Sequence, residues 1–297
     1  MYDLIIIGAG PSGMSAALYA LRANKKVLLL EKECYGGQII NADKIENYPA
    51  LPDVSGYEFA TNLYNQIKSL GVDLKYEEAL EITENSEVKT TKNTYKGKSI
   101  IIATGLRKRK LNIENEDNLI GKGISYCATC DGNFFKDKIV AIVGGGNTAI
   151  EDAIYLSNIV KKVYLIHRRD KFRAEEKLVQ ELNEKENVEF ILNSNIKNII
   201  GKDYLESIEL IDNENASSKL KIDGLFIAIG NIPDNTRFNN VVDLNDEGYI
   251  LSEDGIHTRT KNIYVAGDTR VKTLRQLATA TADGVITATE SLKEMEN

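Results

Sequence analysis

Cys127 and Cys130 lie two residues apart in the run Ser125-Tyr126-Cys127-Ala128-Thr129-Cys130-Asp131. Two thiols at this spacing can close a small disulfide ring, and each sets the reactivity of the other. Opening or closing that ring moves two electrons. Just downstream, the apolar run Lys138–Val143 leads into Gly144-Gly145-Gly146-Asn147-Thr148-Ala149, a turn of the G-x-G-x-x-A form. Such a turn suits a dinucleotide, itself a two-electron carrier. The juxtaposition implies electron pairs passing between a nucleotide and a disulfide. A closed zinc site would need four thiolates, and the chain has only three Cys and two His, widely spread. Cys34 has no nearby partner and reads as a structural free thiol.

The glycine turn occurs twice. Leu4–Ile7 predicts a buried parallel strand. It is followed by Gly8-Ala9-Gly10-Pro11-Ser12-Gly13, a helical run Met14–Ala23, a second strand Val27–Leu30 and then Glu31. In that context G-x-G-x-x-G lets the backbone approach a pyrophosphate at the helix N-terminus, and Glu31 can accept from ribose hydroxyls. The second copy repeats the plan with a helix Glu151–Ser157 and a strand Val163–Ile166. Gly8 to Glu31 is 23 positions, and so is Gly144 to His167. His167 thus takes the slot of the acid and opens a run containing Arg168, Arg169 and Arg173. An acid would repel a 2′-phosphate, whereas arginine forks bind one. The second turn is therefore expected to take NADP(H); the alternative is a solvated basic strand end. The first turn suits the unphosphorylated ribose of FAD or NAD. Transfer from nicotinamide straight to a disulfide is chemically awkward, and a flavin bridges the two, so FAD is expected in the first copy.

Other segments must position these groups. Gly36-Gly37-Gln38 and Asn47 follow the first turn closely enough to pass near its ligand. Ser55–Leu70 has helical spacing, Val72–Tyr95 reads as short strands and turns, and Ser99–Ala103 is a strand ending in Ala103-Thr104-Gly105. Gly224–Gly230 echoes that strand in the second copy. The charged stretch Leu106–Glu116 and the polar stretch Asn231–Phe238 read as linkers. After the second, a strand Ile263–Ala266 ends in Gly267-Asp268, and a helix begins near Leu274 with Arg275, Gln276 and Leu277 at its start. Asp268 could bind a ribityl hydroxyl, and the positive end of the helix could face the flavin pyrimidine edge. The expected architecture is α/β, with two Rossmann-like, doubly wound nucleotide-binding domains. A FAD domain of residues 1–109 and 239–297 is interrupted by an NADPH domain, 110–238, that carries the Cys pair.

The 297 residues are 42% apolar and 27% charged, an ordinary soluble profile. A net charge of −7 argues against a nucleic-acid partner, and the basic cluster Arg107-Lys108-Arg109-Lys110 reads as solvated linker. The first apolar run, Leu4–Ile7, is too short for a signal h-region, and no run approaches the ~20 residues that span a bilayer. A cytoplasmic protein is expected.

Taken together, the motifs Gly8–Gly13, Gly36-Gly37-Gln38, Cys127–Asp131, Gly144–Ala149, His167–Arg173 and Ala266-Gly267-Asp268 with Arg275-Gln276 resemble the low-molecular-weight, bacterial-type NADPH-dependent thioredoxin reductases over essentially the whole chain. The resemblance implies FAD in the first domain and NADPH in the second. It implies that Cys130 lies nearest the flavin, Cys127 attacks the disulfide of thioredoxin, and Asp131 donates and accepts protons. It further implies a homodimer and a domain rotation, for which the two linkers would be the hinge. Phe134 and Phe135 resemble an exposed aromatic pair that docks thioredoxin, with ordinary core as the other reading. Four rival readings exist. A ferredoxin-linked flavin thioredoxin reductase would lack the arginine run, and a ferredoxin–NADP reductase would lack the Cys pair. A glutathione-reductase type would place its Cys pair after the first turn. A non-catalytic flavoprotein redox sensor would have no need of both an intact Cys pair and an intact NADPH site.

Overall fold

The computed structural model describes residues 1–297 except Asp43, Glu46, Pro52, Asn297 and the side chain of Glu296. The chain divides into two compact units, Met1–Arg107 with Ile232–Asn297, and Lys108–Asn231. The chain leaves the first unit two residues before the expected boundary and returns seven residues earlier than expected. The early return has a packing cause: Asn235 and Phe238, read from sequence as linker, are 1% exposed in the first unit. Phe238 joins the cluster of Ile5, Ile100 and Ile263 there.

The first unit is built on a sheet whose central strand is Tyr2–Ile7. It pairs in parallel with Val27–Glu31 on one side and Thr94–Ile102 on the other, Ile7 lying opposite both Leu30 and Ile102. Asp73–Tyr76 extends one edge. The late strand Ile263–Val265 pairs with the end of Thr94–Ile102, so the tail rejoins the first unit. The start of Thr94–Ile102 carries an antiparallel meander, Ala79–Ile82 and Glu87–Thr90. Apolar runs such as Leu4–Ile7 are buried on both faces, as parallel strands covered on both sides require. The helices Pro11–Arg22 and Leu277–Glu296 pack closely. They come close at Gly284, where a Cβ would stand 2.0 Å from the Ser12 carbonyl oxygen.

The second unit repeats the plan. Its parallel sheet runs in the order Val188–Ile191, Lys162–Ile166, Ile139–Gly144, Gly224–Ala228, Ile124–Ser125. A three-stranded antiparallel sheet, Ser194–Ile200, Ser207–Asp212 and Ser217–Lys221, completes it. Among the described residues, no helix is long and apolar enough to cross a membrane.

Candidate redox and nucleotide sites

Cys127 and Cys130 are joined as a disulfide. They bracket the one-turn helix Ala128–Asp131, for which Cys127 is the N-cap: its Sγ accepts the Cys130 N–H at 3.2 Å. The Thr129 hydroxyl lies 3.4 Å from the same sulfur. Donors converging on one sulfur lower the cost of a thiolate there. Cys127 is half-buried and Cys130 exposed. The buried Ser125 hydroxyl fixes the turn, accepting the Cys127 N–H at 3.0 Å and donating to Asp131 Oδ2 at 2.6 Å. Asp131 is thereby held beside the disulfide. On the other flank, the Tyr126 hydroxyl donates at 2.5 Å to the buried carboxylate of Glu116, which also accepts the amides of Leu111 and Asn112. Burial and this bond push the Tyr126 phenol up, keeping it neutral. Gly132 seats the turn on the helix Asn147–Ser157, leaving no room for a Cβ against Leu156 and Tyr155.

Phe134 and Phe135 part company. Phe134 is 74% exposed, whereas Phe135 is 9% exposed and meets Phe226 edge-on. The Phe135 ring fills the space where Gly224 would carry a Cβ, which would stand 2.6 Å from it. The expectation of a docking pair is corrected to a single exposed ring, with Phe135 in the core.

In the first unit the cofactor candidates converge at the C-terminal edge of the parallel sheet. Gly8 adopts φ +106°, and a Cβ there would stand 2.4 Å from the Ala103 oxygen, so only glycine lets the turn pass the Ala103-Thr104-Gly105 strand end. Glu31 accepts the Ala9 N–H at 2.9 Å and the Glu33 N–H at 3.0 Å. The segment Gly36-Gly37-Gln38 folds over the turn: the Gly36 N–H donates to the Ala9 carbonyl, and Gln38 reaches the Leu106 carbonyl. Gly37 lies over Gly10, which precedes Pro11 at the start of the first helix. Asn47 donates to Gln276 at 2.9 Å, joining that wall to the start of the last helix, where Leu277 is buried. Arg275 lies over the Tyr249 ring at 4.1 Å and donates to the Asp268 carbonyl, so its cation braces the turn.

Ser12 Oγ and Asp268 Oδ1 are both buried, and among the described residues neither has a hydrogen-bond partner. Ser12 lies against Gly267, the residue before Asp268. Burial pushes the Asp268 carboxyl up, opposed by the cations of Lys272 and Arg275. A ligand hydroxyl would satisfy Asp268 by donating to it, a phosphate would satisfy Ser12 by accepting from it, and a glycine-lined cradle at a helix N-terminus suits a dinucleotide pyrophosphate.

Sequence reading missed what holds this cradle. Asp283, 7% exposed, accepts the Gly267 N–H at 3.0 Å and bonds Arg270 and Lys272. Asn235 bonds Thr269 and Thr104 through its amide oxygen and the Gly248 carbonyl through its nitrogen. Arg237 bonds Glu78 and Asp234 beside a cleft that Gly8, Glu31 and Thr104 also line.

The second glycine turn keeps the backbone plan. A Cβ on Gly144 would stand 2.4 Å from the Ala228 oxygen, matching Gly8 and Ala103. Gly146, Asn147, Thr148 and Ala149 form the turn and first residues of the helix Asn147–Ser157, and Ala149 is buried. His167, in the slot of the acid, lies beneath the turn. It is 5% exposed, its ring lies where a Cβ of Gly145 would be (2.1 Å), and Nε2 donates to the Lys171 carbonyl at 3.1 Å. Burial pulls its pKa down, so it stays neutral. Its ring is packing beneath the turn, not a group presented outward. Arg168, Arg169 and Arg173 are exposed, and among the described residues no ion pair engages them. The Arg173 N–H donates to the Gly145 carbonyl at 2.7 Å, folding the arginine loop back on the turn.

With this geometry in view, the pyridine nucleotide-disulphide oxidoreductase family matches residues 2–284. The thioredoxin reductase of Listeria monocytogenes is 40% identical over 100% of this chain and 94% of that protein. The thioredoxin reductase of Bacillus subtilis is 40% identical over 97% and 93%. A crystal structure of Lactococcus lactis thioredoxin reductase superposes with a TM-score of 0.89 at 35% identity, covering 99% of this chain and 98% of that one. The chain belongs to the pyridine nucleotide-disulphide oxidoreductases and, within them, to the thioredoxin reductase family.

Proposed function

We propose that this protein is a thioredoxin-disulfide reductase that draws electron pairs from NADPH and delivers them to oxidised thioredoxin through the Cys127–Cys130 pair, with FAD between. The observation that carries the reading is the disulfide at Cys127–Cys130 in the unit that also presents three exposed arginines beside a glycine turn. FAD is the group whose chemistry bridges a hydride donor and a disulfide. Gly8, Gly10 and Ser12 would hold its pyrophosphate, Glu31 its ribose, and Asp268 a ribityl hydroxyl. NADPH would lie on Gly144–Ala149 with its 2′-phosphate on Arg168, Arg169 and Arg173.

Reducing the Cys127–Cys130 bond takes up two electrons and two protons. Cys127 then loses a proton and attacks one sulfur of the partner disulfide, forming a mixed disulfide and expelling the other partner sulfur as a thiolate. Cys130 attacks Cys127 Sγ, releasing the second partner sulfur and restoring the ring. Both leaving thiolates need protons, and Asp131, held by Ser125, is the nearby group to relay them. The Cys130 N–H and Thr129 hydroxyl favour Cys127 as the attacking thiolate. Phe134 is a contact for thioredoxin, the protein acts as a homodimer, and its place is the cytoplasm.

Purified yellow protein should consume NADPH in the presence of oxidised thioredoxin, and Cys130→Ser should abolish that turnover while NADPH still bleaches the flavin. Turnover retained in Cys130→Ser removes the pair from the reaction.

A further inference from the structure

The second unit contains a reciprocal contact that the proposed chemistry does not use. Asn147 Nδ2 donates to Glu175 Oε1 at 2.9 Å, and the Glu175 N–H donates to Asn147 Oδ1 at 2.9 Å. Asn147 opens the helix at the glycine turn, and Glu175 ends the arginine loop at the start of the helix Glu176–Asn183. The same position in the first copy is Pro11, which has no side chain able to make such a bond.

The placement of Glu175 needs a reason. Its carboxylate stands two residues from Arg173, where its charge opposes an incoming phosphate. It forms no ion pair with the arginines among the described residues; it is committed to Asn147. With the Arg173 N–H on the Gly145 carbonyl at 2.7 Å, this ties the loop to the turn at two points, at Arg173 itself and two residues beyond it. Three exposed guanidinium groups bind one phosphate well only if the backbone beneath them is already placed.

We infer that Asn147 and Glu175 are positioning residues that clamp the arginine loop onto the second glycine turn and so set the preference for a 2′-phosphorylated nucleotide. The inference rests on the reading of that turn as the NADPH site.

The test measures calorimetric affinity of the flavin-loaded full chain for adenosine 2′,5′-bisphosphate and for 5′-AMP. Wild type should favour the bisphosphate; no preference would overturn the phosphate reading and the clamp with it. Glu175→Ala should weaken the bisphosphate by roughly 5–10-fold and leave 5′-AMP within twofold. Glu175→Gln keeps the acceptor while removing the charge, and should bind the bisphosphate at least as tightly as wild type. Asn147→Asp alone sets two carboxylates together and should weaken it, and adding Glu175→Gln should restore it, because an amide can then donate to the new carboxylate. With the wild-type preference intact, Glu175→Ala binding the bisphosphate as well as wild type overturns the clamp. So does an equal loss for both ligands. Failure of the double exchange to restore affinity also overturns it. Because Glu175 is exposed, retained flavin absorbance and melting temperature separate these outcomes from misfolding.

Discussion

The two glycine turns share a backbone and differ in what lies beneath and beside it. Gly8 and Gly144 each pass 2.4 Å from a strand-end carbonyl, measured to where a Cβ would be, so both demand glycine for the same reason. Under the first turn is a carboxylate: Glu31 accepts the Ala9 N–H. Under the second is a ring: His167 fills the space that a Cβ at Gly145 would need. The first turn has a methyl where the second has none, because a carboxylate tip leaves room and an imidazole does not. Beside the first turn stand two buried polar atoms, Ser12 Oγ and Asp268 Oδ1, without a partner among the described residues. Beside the second stand three exposed arginines on a loop tied to the turn. On the proposed reading one scaffold serves two dinucleotides, discriminated by the residue 23 positions after the first glycine and by the loop that follows it.

The comparison breaks most visibly at the arginines. Arg168→Ala with Arg169→Ala should raise the Michaelis constant for NADPH by roughly 10–100-fold and that for NADH far less. Equal rises for both would mean that the loop does not read the 2′-phosphate. The next effect is steric. Gly145→Ala should destabilise the protein by about 1–3 kcal/mol, because a buried ring must move. Ala9→Gly, the reverse change in the first copy, should cost only about 1 kcal/mol, the loss of a buried methyl. Urea melts measure both, and His167→Ala added to Gly145→Ala should recover part of the loss.

The smallest effects concern pH and contrast His167 with His257, the only histidines. Burial lowers the His167 pKa, so the unfolded chain binds the proton more readily and stability falls as pH drops through about 6.5. His257 lies between Asp254 and Glu294, which raise its pKa. Its stabilisation is full below about 6.5 and is lost as pH rises through its higher folded value. His167→Phe should flatten the acid-side decline in melting temperature, and His257→Gln should cost more at about pH 5.5 than at about pH 8.5. Slopes of the same sign at both sites would contradict these environments.

Much of this was legible because the signals are local. Strand, glycine turn, helix and acid fall within one short stretch, and backbone bonds along that stretch build the turn. The Cys pair is likewise a contiguous motif. What escaped depends on residues far apart in sequence. Phe134 and Phe135 look alike until Gly224 opens a pocket for one ring. Asp283 reads as a polar helix residue, yet it accepts from Gly267 and bonds Arg270 and Lys272. Asn235 looked like linker, but Thr104 and Thr269 bury it. His167 carried one unused signal: three successive glycines stand where the turn needs two, and the extra one, Gly145, marks the ring below it.

The central claim is that phosphorylated nicotinamide feeds a flavin that empties through the Cys127–Cys130 pair. An anaerobic absorbance titration tests it most directly. NADPH, and NADH only poorly, should bleach the flavin band, and stoichiometric oxidised thioredoxin should restore it. A protein that takes up no flavin, or a bleached band that oxidised thioredoxin leaves unchanged, would contradict the account.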